Sequence, residues 1–278
     1  MDFDPLTLEP ALWAMILVVG IIAGVINTLV GGGTLLILPL LIEVVSIPPH
    51  LANGTNRLCV AVQAAVALWA LTRRSKRSGD EVPKPVLQGM PWKVAIVIGF
   101  SALPGAWLAS VLNPEALRKT LGLLVLVAVS VFMFSGSKNQ KQNSQDHPPG
   151  FQAANPTGVA GLGLLIASVC CGLYGGFIGA GIGAFIILMF STSGIDIERA
   201  VRWKVFLVWL LSTVSGIYYL WVGNFSLSVA IPLLIAYSIG GFLGARLIVH
   251  GGKKWLRPLV GVISASLALM MLFGDSLR

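Results

Sequence analysis

The sequence predicts an all-α polytopic membrane protein, and three observations carry that prediction. Of the 278 residues, 56% are hydrophobic and only 11% are charged, against roughly 25% charged in ordinary soluble chains. The mean hydropathy is +0.86. Apolar stretches recur along the whole chain, at 12–29, 33–46, 57–72, 91–112, 117–135, 158–178, 181–192, 203–221, 226–248 and 258–273. A soluble domain this short of charge cannot cover its own surface. The composition therefore excludes a soluble enzyme, a disordered chain and a disulfide-stapled secreted module.

The segments can be justified in order. A span needs roughly 20 residues, and several runs are long enough to cross alone. The first is longer than a cleaved signal and follows acidic residues, so it is expected to stay in the membrane. Two runs are short, 33–46 and 181–192, and each follows a glycine cluster, Gly31-Gly32-Gly33 and Gly179-Ala180-Gly181. A short apolar piece after glycines reads as a broken helix. The polar stretch 137–157, rich in Gln, Asn, Ser and Pro, reads as a cytoplasmic linker between a first repeat, 1–136, and a second, 158–278.

The two halves resemble each other. At an offset of 148, Gly24 meets Gly172, Gly31 meets Gly179, Gly33 meets Gly181 and Ala52 meets Ala200. At an offset of 139, Gly105 meets Gly244, Ala106 meets Ala245, Arg118 meets Arg257 and Gly122 meets Gly261. Chance can produce so few identities; matching hydropathy favours duplication. Five segments per half, the second inverted, put fifteen Lys and Arg on one side and four on the other, whereas four crossings per half give nine and ten. Cytoplasmic loops hold the excess of Lys and Arg, so two inverted repeats are expected, with both termini outside. The net charge of +8 is then loop charge, and no nucleic-acid partner is expected.

Three constellations stand out. Asn27 lies one turn before Gly31-Gly32-Gly33 and Thr34, where glycines let backbone approach a ligand and a new helix offers free N–H groups. Helix packing through small residues explains the same glycines. Next, Pro48-Pro49 precedes Asn53-Gly54-Thr55-Asn56-Arg57, with Gln63 two turns further on. Asn53 or Thr55 would cap a helix, but four polar groups in so short a stretch exceed what capping needs, and polar groups in a bilayer mark a pathway. Third, Arg199, Arg202 and Lys204 precede an apolar helix, with Asp196 and Glu198 nearby. They read as a positive-inside anchor with Trp203 at the interface, or as a cationic mouth for an anion. Glu43 is the lone acidic candidate deep in an apolar run and the candidate for proton coupling.

Absences narrow the function. There is no GxxxxGK[ST] string, no TVGYG-like filter, no HExxH, no CxxC pair and no run of arginines at every third position. Cys59, Cys170 and Cys171 lie in or beside apolar runs. No cofactor, metal site or enzymatic activity is expected.

The pattern GxxAGxxNxLVGGG over Gly20–Gly33, then Pro39, the PPxxANGTNR string Pro48–Arg57 and Gln63, resembles the TauE/SafE sulfite exporter family. The second-half GxxGGFIGAGIG, Gly172–Gly183, is similar to the family's degenerate second copy. The resemblance covers roughly 12–273. It implies a multi-pass carrier in the cytoplasmic membrane, exporting sulfite, organosulfonates or related small anions. On that footing Asn27, Gly31, Gly32, Gly33 and Thr34 would offer backbone and amide donors between the two breaks. Asn53, Thr55, Asn56 and Gln63 would bond the sulfonate-type oxygens, and Arg57, Arg202 or Lys204 would supply charge. The second half departs from the first, with Arg202-Trp203-Lys204 opposite Gly54-Thr55-Asn56, so the site is not a simple mirror. The expected partners are the small anion and the bilayer, with a homo-oligomer left open. An anion channel and a non-transport assembly subunit are the alternatives.

Overall fold

The computed structural model describes residues 10–75, 87–142, 159–195, 197–248 and Ala265, Ala268, Leu269 and Leu272. The described residues contain helices and no strand: α1 (Pro10–Leu29), α2 (Gly33–Pro39, continued by a π-turn over Leu40–Val44), α3 (Pro49–Ser75), α4 (Trp92–Val111), α5 (Pro114–Gln142), α6 (Val159–Phe177), α7 (Ile182–Thr192), α8 (Ile197–Trp221) and α9 (Leu227–Leu247). Five of these, α1, α3, α4, α8 and α9, are long and apolar enough to cross a membrane. Outward-facing Val18, Ile96, Phe100, Trp107, Ile217 and Leu243 are exposed, as a lipid-facing surface requires. The 143–157 part of the linker, the 258–273 run apart from those four residues, and seven of the nineteen cations behind the charge count lie outside the described residues.

Both short runs are broken helices. Gly31 (φ 87°) ends α1, and Gly179 (φ 56°) with Gly181 (φ 72°) separates α6 from α7. Such angles cost an L-residue roughly 1–2 kcal/mol, so glycine holds these bends. The two ends are built alike. The N–H groups of Val30 and Gly31 both donate to the Ile26 carbonyl, and those of Ile178 and Gly179 both donate to the Tyr174 carbonyl.

The long helices α3 and α8 pack against each other at the centre, with α9 also on α3 and α4 also on α8. Outside them, α1 packs along α9 and α4 along α6. Glycines set the closeness of these outer pairs. Gly24 lies against Gly240 and Gly244 against Thr28; Gly105 lies against Leu173 and Gly176 against Ala102. Without a hydrophobic drive between helices in lipid, such small residues are what let backbones approach.

One expectation is corrected. Helix α3 begins at Pro49, a favoured first-turn position for proline, so Asn53–Arg57 lies inside the helix rather than at its start. Neither Asn53 nor Thr55 caps α3. Thr55 Oγ1 instead accepts the Ser226 N–H at 2.9 Å, at the start of α9. Thr55→Val is therefore expected to lower the stability of the detergent-purified chain by about 1 kcal/mol, as loss of a cap does, without changing its response to anions. Chemical unfolding with and without added anion measures both.

Candidate functional site

Asn53, Asn56, Arg57 and Gln63 fall on one face of α3 because helical neighbours recur at three and four residues, and all four are buried. That face meets both breaks. Asn53 Nδ2 donates to the Phe177 carbonyl at 2.7 Å and to the Tyr219 hydroxyl at 3.0 Å. Asn56 Nδ2 donates to Thr34 Oγ1 at 3.4 Å, and its Oδ1 accepts the Tyr237 hydroxyl at 2.9 Å. Asn27 Nδ2 donates to Gln63 Oε1 at 2.6 Å, and Gln63 Nε2 in turn donates to Thr28 Oγ1.

Arg57 is 1% exposed, and its guanidinium presses on Gly179, where an added Cβ would overlap both terminal nitrogens. Tyr174, Tyr219 and Tyr237 surround it. Its Nε and Nη2 have no hydrogen-bond partner, and Asn53 Oδ1 is likewise unpartnered. Nε and Nη2 form the outer edge of the guanidinium, the fork that grips a planar pair of oxygens. A buried cation without a counter-charge costs several kcal/mol.

A second buried cation comes from the other half. Lys204, 1% exposed, reaches from α8 to the end of α1, where Nζ donates to the Thr28 carbonyl at 2.6 Å and the Asn27 carbonyl at 3.3 Å. Its stem lies where a Cβ on Gly183 would project, and that same Cβ would meet Gly31. Each central helix thus sends one cation into the opposite half's break. Among the described residues no carboxylate pairs with either cation.

The other candidates fall elsewhere. Glu43, at the end of the π-turn, is gripped by Arg118 of α5 through Nε at 2.8 Å and Nη2 at 2.9 Å. Arg202 is half-buried and stands outside the buried cluster. Gly33 tucks the start of α2 against the Ala23 carbonyl of α1, which keeps the α1–α2 hairpin tight.

The family model described as "Sulfite exporter TauE/SafE" matches residues 16–271. The chain belongs to the TauE/SafE family. Its relatives agree. It is 25% identical over 269 residues to the "Probable membrane transporter protein YfcA" of Escherichia coli (strain K12), covering 95% of this chain and 91% of that one. It is 25% identical over 267 residues to a "Probable membrane transporter protein" of Haemophilus influenzae, covering 94% and 95%. A "Probable membrane transporter protein ORF9" of Sinorhizobium sp. is 24% identical over 263 residues, covering 94% and 92%. No solved structure matches. The TauE/SafE chain is a multi-pass membrane transporter and not an enzyme.

Sequence reasoning missed three residues of this candidate site, Tyr174, Tyr219 and Tyr237. A signal was available: the chain has four tyrosines, and these three sit in the middle or near the end of apolar runs. A phenol in lipid-spanning sequence needs a polar partner, which points inward.

Proposed function

We propose that this transporter is an alternating-access carrier for small sulfur oxyanions of the sulfite and organosulfonate class, working as an exporter in the cytoplasmic membrane. The observation that carries the reading is the Nε–Nη2 edge of Arg57, a bidentate fork buried in the membrane with no protein partner. Two oxygens of a sulfite or sulfonate group fit that fork, and hydrogen bonds to an ionised oxyanion are roughly twice as strong as neutral ones. Tyr174, Tyr219 and Tyr237 surround the same guanidinium; the Tyr219 hydroxyl and the Asn53 and Asn56 amides, which hold the break carbonyls and Thr34 here, would exchange those partners to share in replacing the hydration shell. Thr55 serves the start of α9 and Arg202 stands outside the buried cluster, so neither is placed on the anion.

The transport cycle rocks one half against the other about the two breaks. Two facts support equivalent halves. The helix-end hydrogen bonds at Ile26 and Tyr174 coincide at the same 148-residue offset as the glycines. The α1–α9 contact exchanges with α6–α4 when the halves are swapped. An odd number of crossings per half would make the repeats inverted, and the basic 73–93 stretch would face the cytoplasm.

The test is flux of sulfite and organosulfonates into liposomes that hold only the purified chain. Saturable flux of these anions, inhibited by one another, is expected. Non-saturating flux would favour a channel, and no flux of any such anion would remove the substrate assignment.

A further inference from the structure

Helix α1 leaves two carbonyls, Asn27 and Thr28, without backbone donors: the Gly31 N–H, which would serve Asn27, turns back to Ile26, and the bend at Gly31 carries the Gly32 N–H away from Thr28. Unsatisfied carbonyls at a helix end carry partial negative charge. In broken-helix carriers such ends, with unwound carbonyls, are where a coupling sodium or proton sits. Here Lys204 Nζ lies on both carbonyls, at 2.6 and 3.3 Å.

Simple capping does not account for a charge there. The matching end of α6 turns its Gly179 N–H back in the same way, and its Gly176 carbonyl, the counterpart of Thr28 at the 148-residue offset, and the Phe177 carbonyl beside it are served by neutral groups. The Tyr219 hydroxyl donates to Gly176 at 3.1 Å and the Asn53 amide to Phe177 at 2.7 Å. Neutral donors therefore suffice to cap a broken helix in this fold. At α1 the fold instead carries a full-length lysine through the Gly31–Gly183 crossing, where any Cβ on Gly183 would collide with its stem.

We infer that the Asn27–Thr28 carbonyl pair is a monovalent-cation subsite that the chain fills with its own Lys204 ammonium. The tethered ammonium takes the place of a coupling sodium ion. Arg57, whose fork has no partner, is then left to carry the substrate's charge, and anion transport needs no external metal cation. The inference rests on the carrier reading above for its functional consequence, but the subsite itself is judged without flux.

The test compares the purified full-length chain with Lys204→Ala and Lys204→Met. Alanine empties the subsite; methionine removes the charge but fills the space with a similar stem. Thermal unfolding in detergent is followed while methylammonium, sodium or N-methylglucamine is added as the chloride. Lys204→Ala is expected to unfold earlier than the native chain and to be restored saturably by methylammonium, with N-methylglucamine inert. The native chain and Lys204→Met should respond to none of the three. A Lys204→Ala chain indifferent to methylammonium, or a Lys204→Met chain restored as well as the alanine variant, would overturn the subsite. Should Lys204→Ala not fold, the native chain decides. Equal anion flux in sodium and N-methylglucamine media supports the tethered cation, while at least about a tenfold dependence on sodium, worth about 1.4 kcal/mol, overturns it. Native chain without flux in any medium would contradict the carrier reading, and the subsite would then stand or fall on sodium-dependent stabilisation of the native chain, whose presence overturns it and whose absence supports it.

Discussion

Arg57→Met is expected to abolish anion flux while leaving the chain at least as stable as the native protein in the absence of anion. The two effects have one cause. The guanidinium is fully buried, has no carboxylate partner among the described residues and leaves two donors unpaired. Replacing buried charge by apolar side chains of similar size is often neutral or stabilising, by about 1–4 kcal/mol. Removing one partner of a buried charge pair costs about 2–5 kcal/mol of binding, so affinity for the anion should fall at least about thirtyfold. Arg57→Lys keeps the charge but loses the fork, and should also transport poorly. Flux in liposomes and thermal unfolding in detergent measure the pair. A variant that unfolds earlier yet still transports would place the substrate elsewhere.

Gly31→Ala should have the largest effect on folding. The residue has φ 87°, and an added Cβ would overlap the Gly183 backbone where the two breaks cross. The left-handed backbone costs an alanine about 1–2 kcal/mol, and forced overpacking about 1–3 kcal/mol more. Backbone cannot swing aside as a flexible side chain can, so the folded yield should collapse. Gly163→Ala is the control. It lies within α6 with nothing inside 4 Å of its would-be Cβ, and gains helix propensity of about 0.5–1 kcal/mol. Size-exclusion profiles and unfolding midpoints of the two variants provide the comparison. Equal behaviour would mean that the crossing of the breaks is not tight.

The polar composition of the site was readable from the sequence, and its wiring was not. Asn53, Asn56, Arg57 and Gln63 announce themselves because four costly side chains in an apolar chain at helical spacing need a reason. The two breaks are equally visible, since glycine clusters precede runs too short to cross. What a linear reading lacks is the partner across the bundle. Asn56 meets Tyr237, 181 positions away, and Lys204 meets Thr28, 176 away. Lys204 read as a surface anchor or mouth because it follows Arg199 and Arg202. Only the meeting of α8 with α7 at Gly183 and with the end of α1 at Asn27 and Thr28 buries it. Thr55 misled for a related reason. Its hydroxyl does support the start of a helix, but the helix is α9, which no local pattern reveals. The early start of α3 was hidden by the polar motif itself, which breaks the apolar run that marks a span.

Counterflow tests the central claim most directly. Liposomes holding the purified chain are loaded with unlabelled sulfite and diluted into trace labelled sulfite, beside liposomes holding Arg57→Met. A carrier that presents one buried site to each side in turn predicts transient accumulation of label above equilibrium in the native vesicles and none in the variant. Label that only equilibrates in the native vesicles, or accumulates equally in both, would contradict an alternating-access anion site built on Arg57.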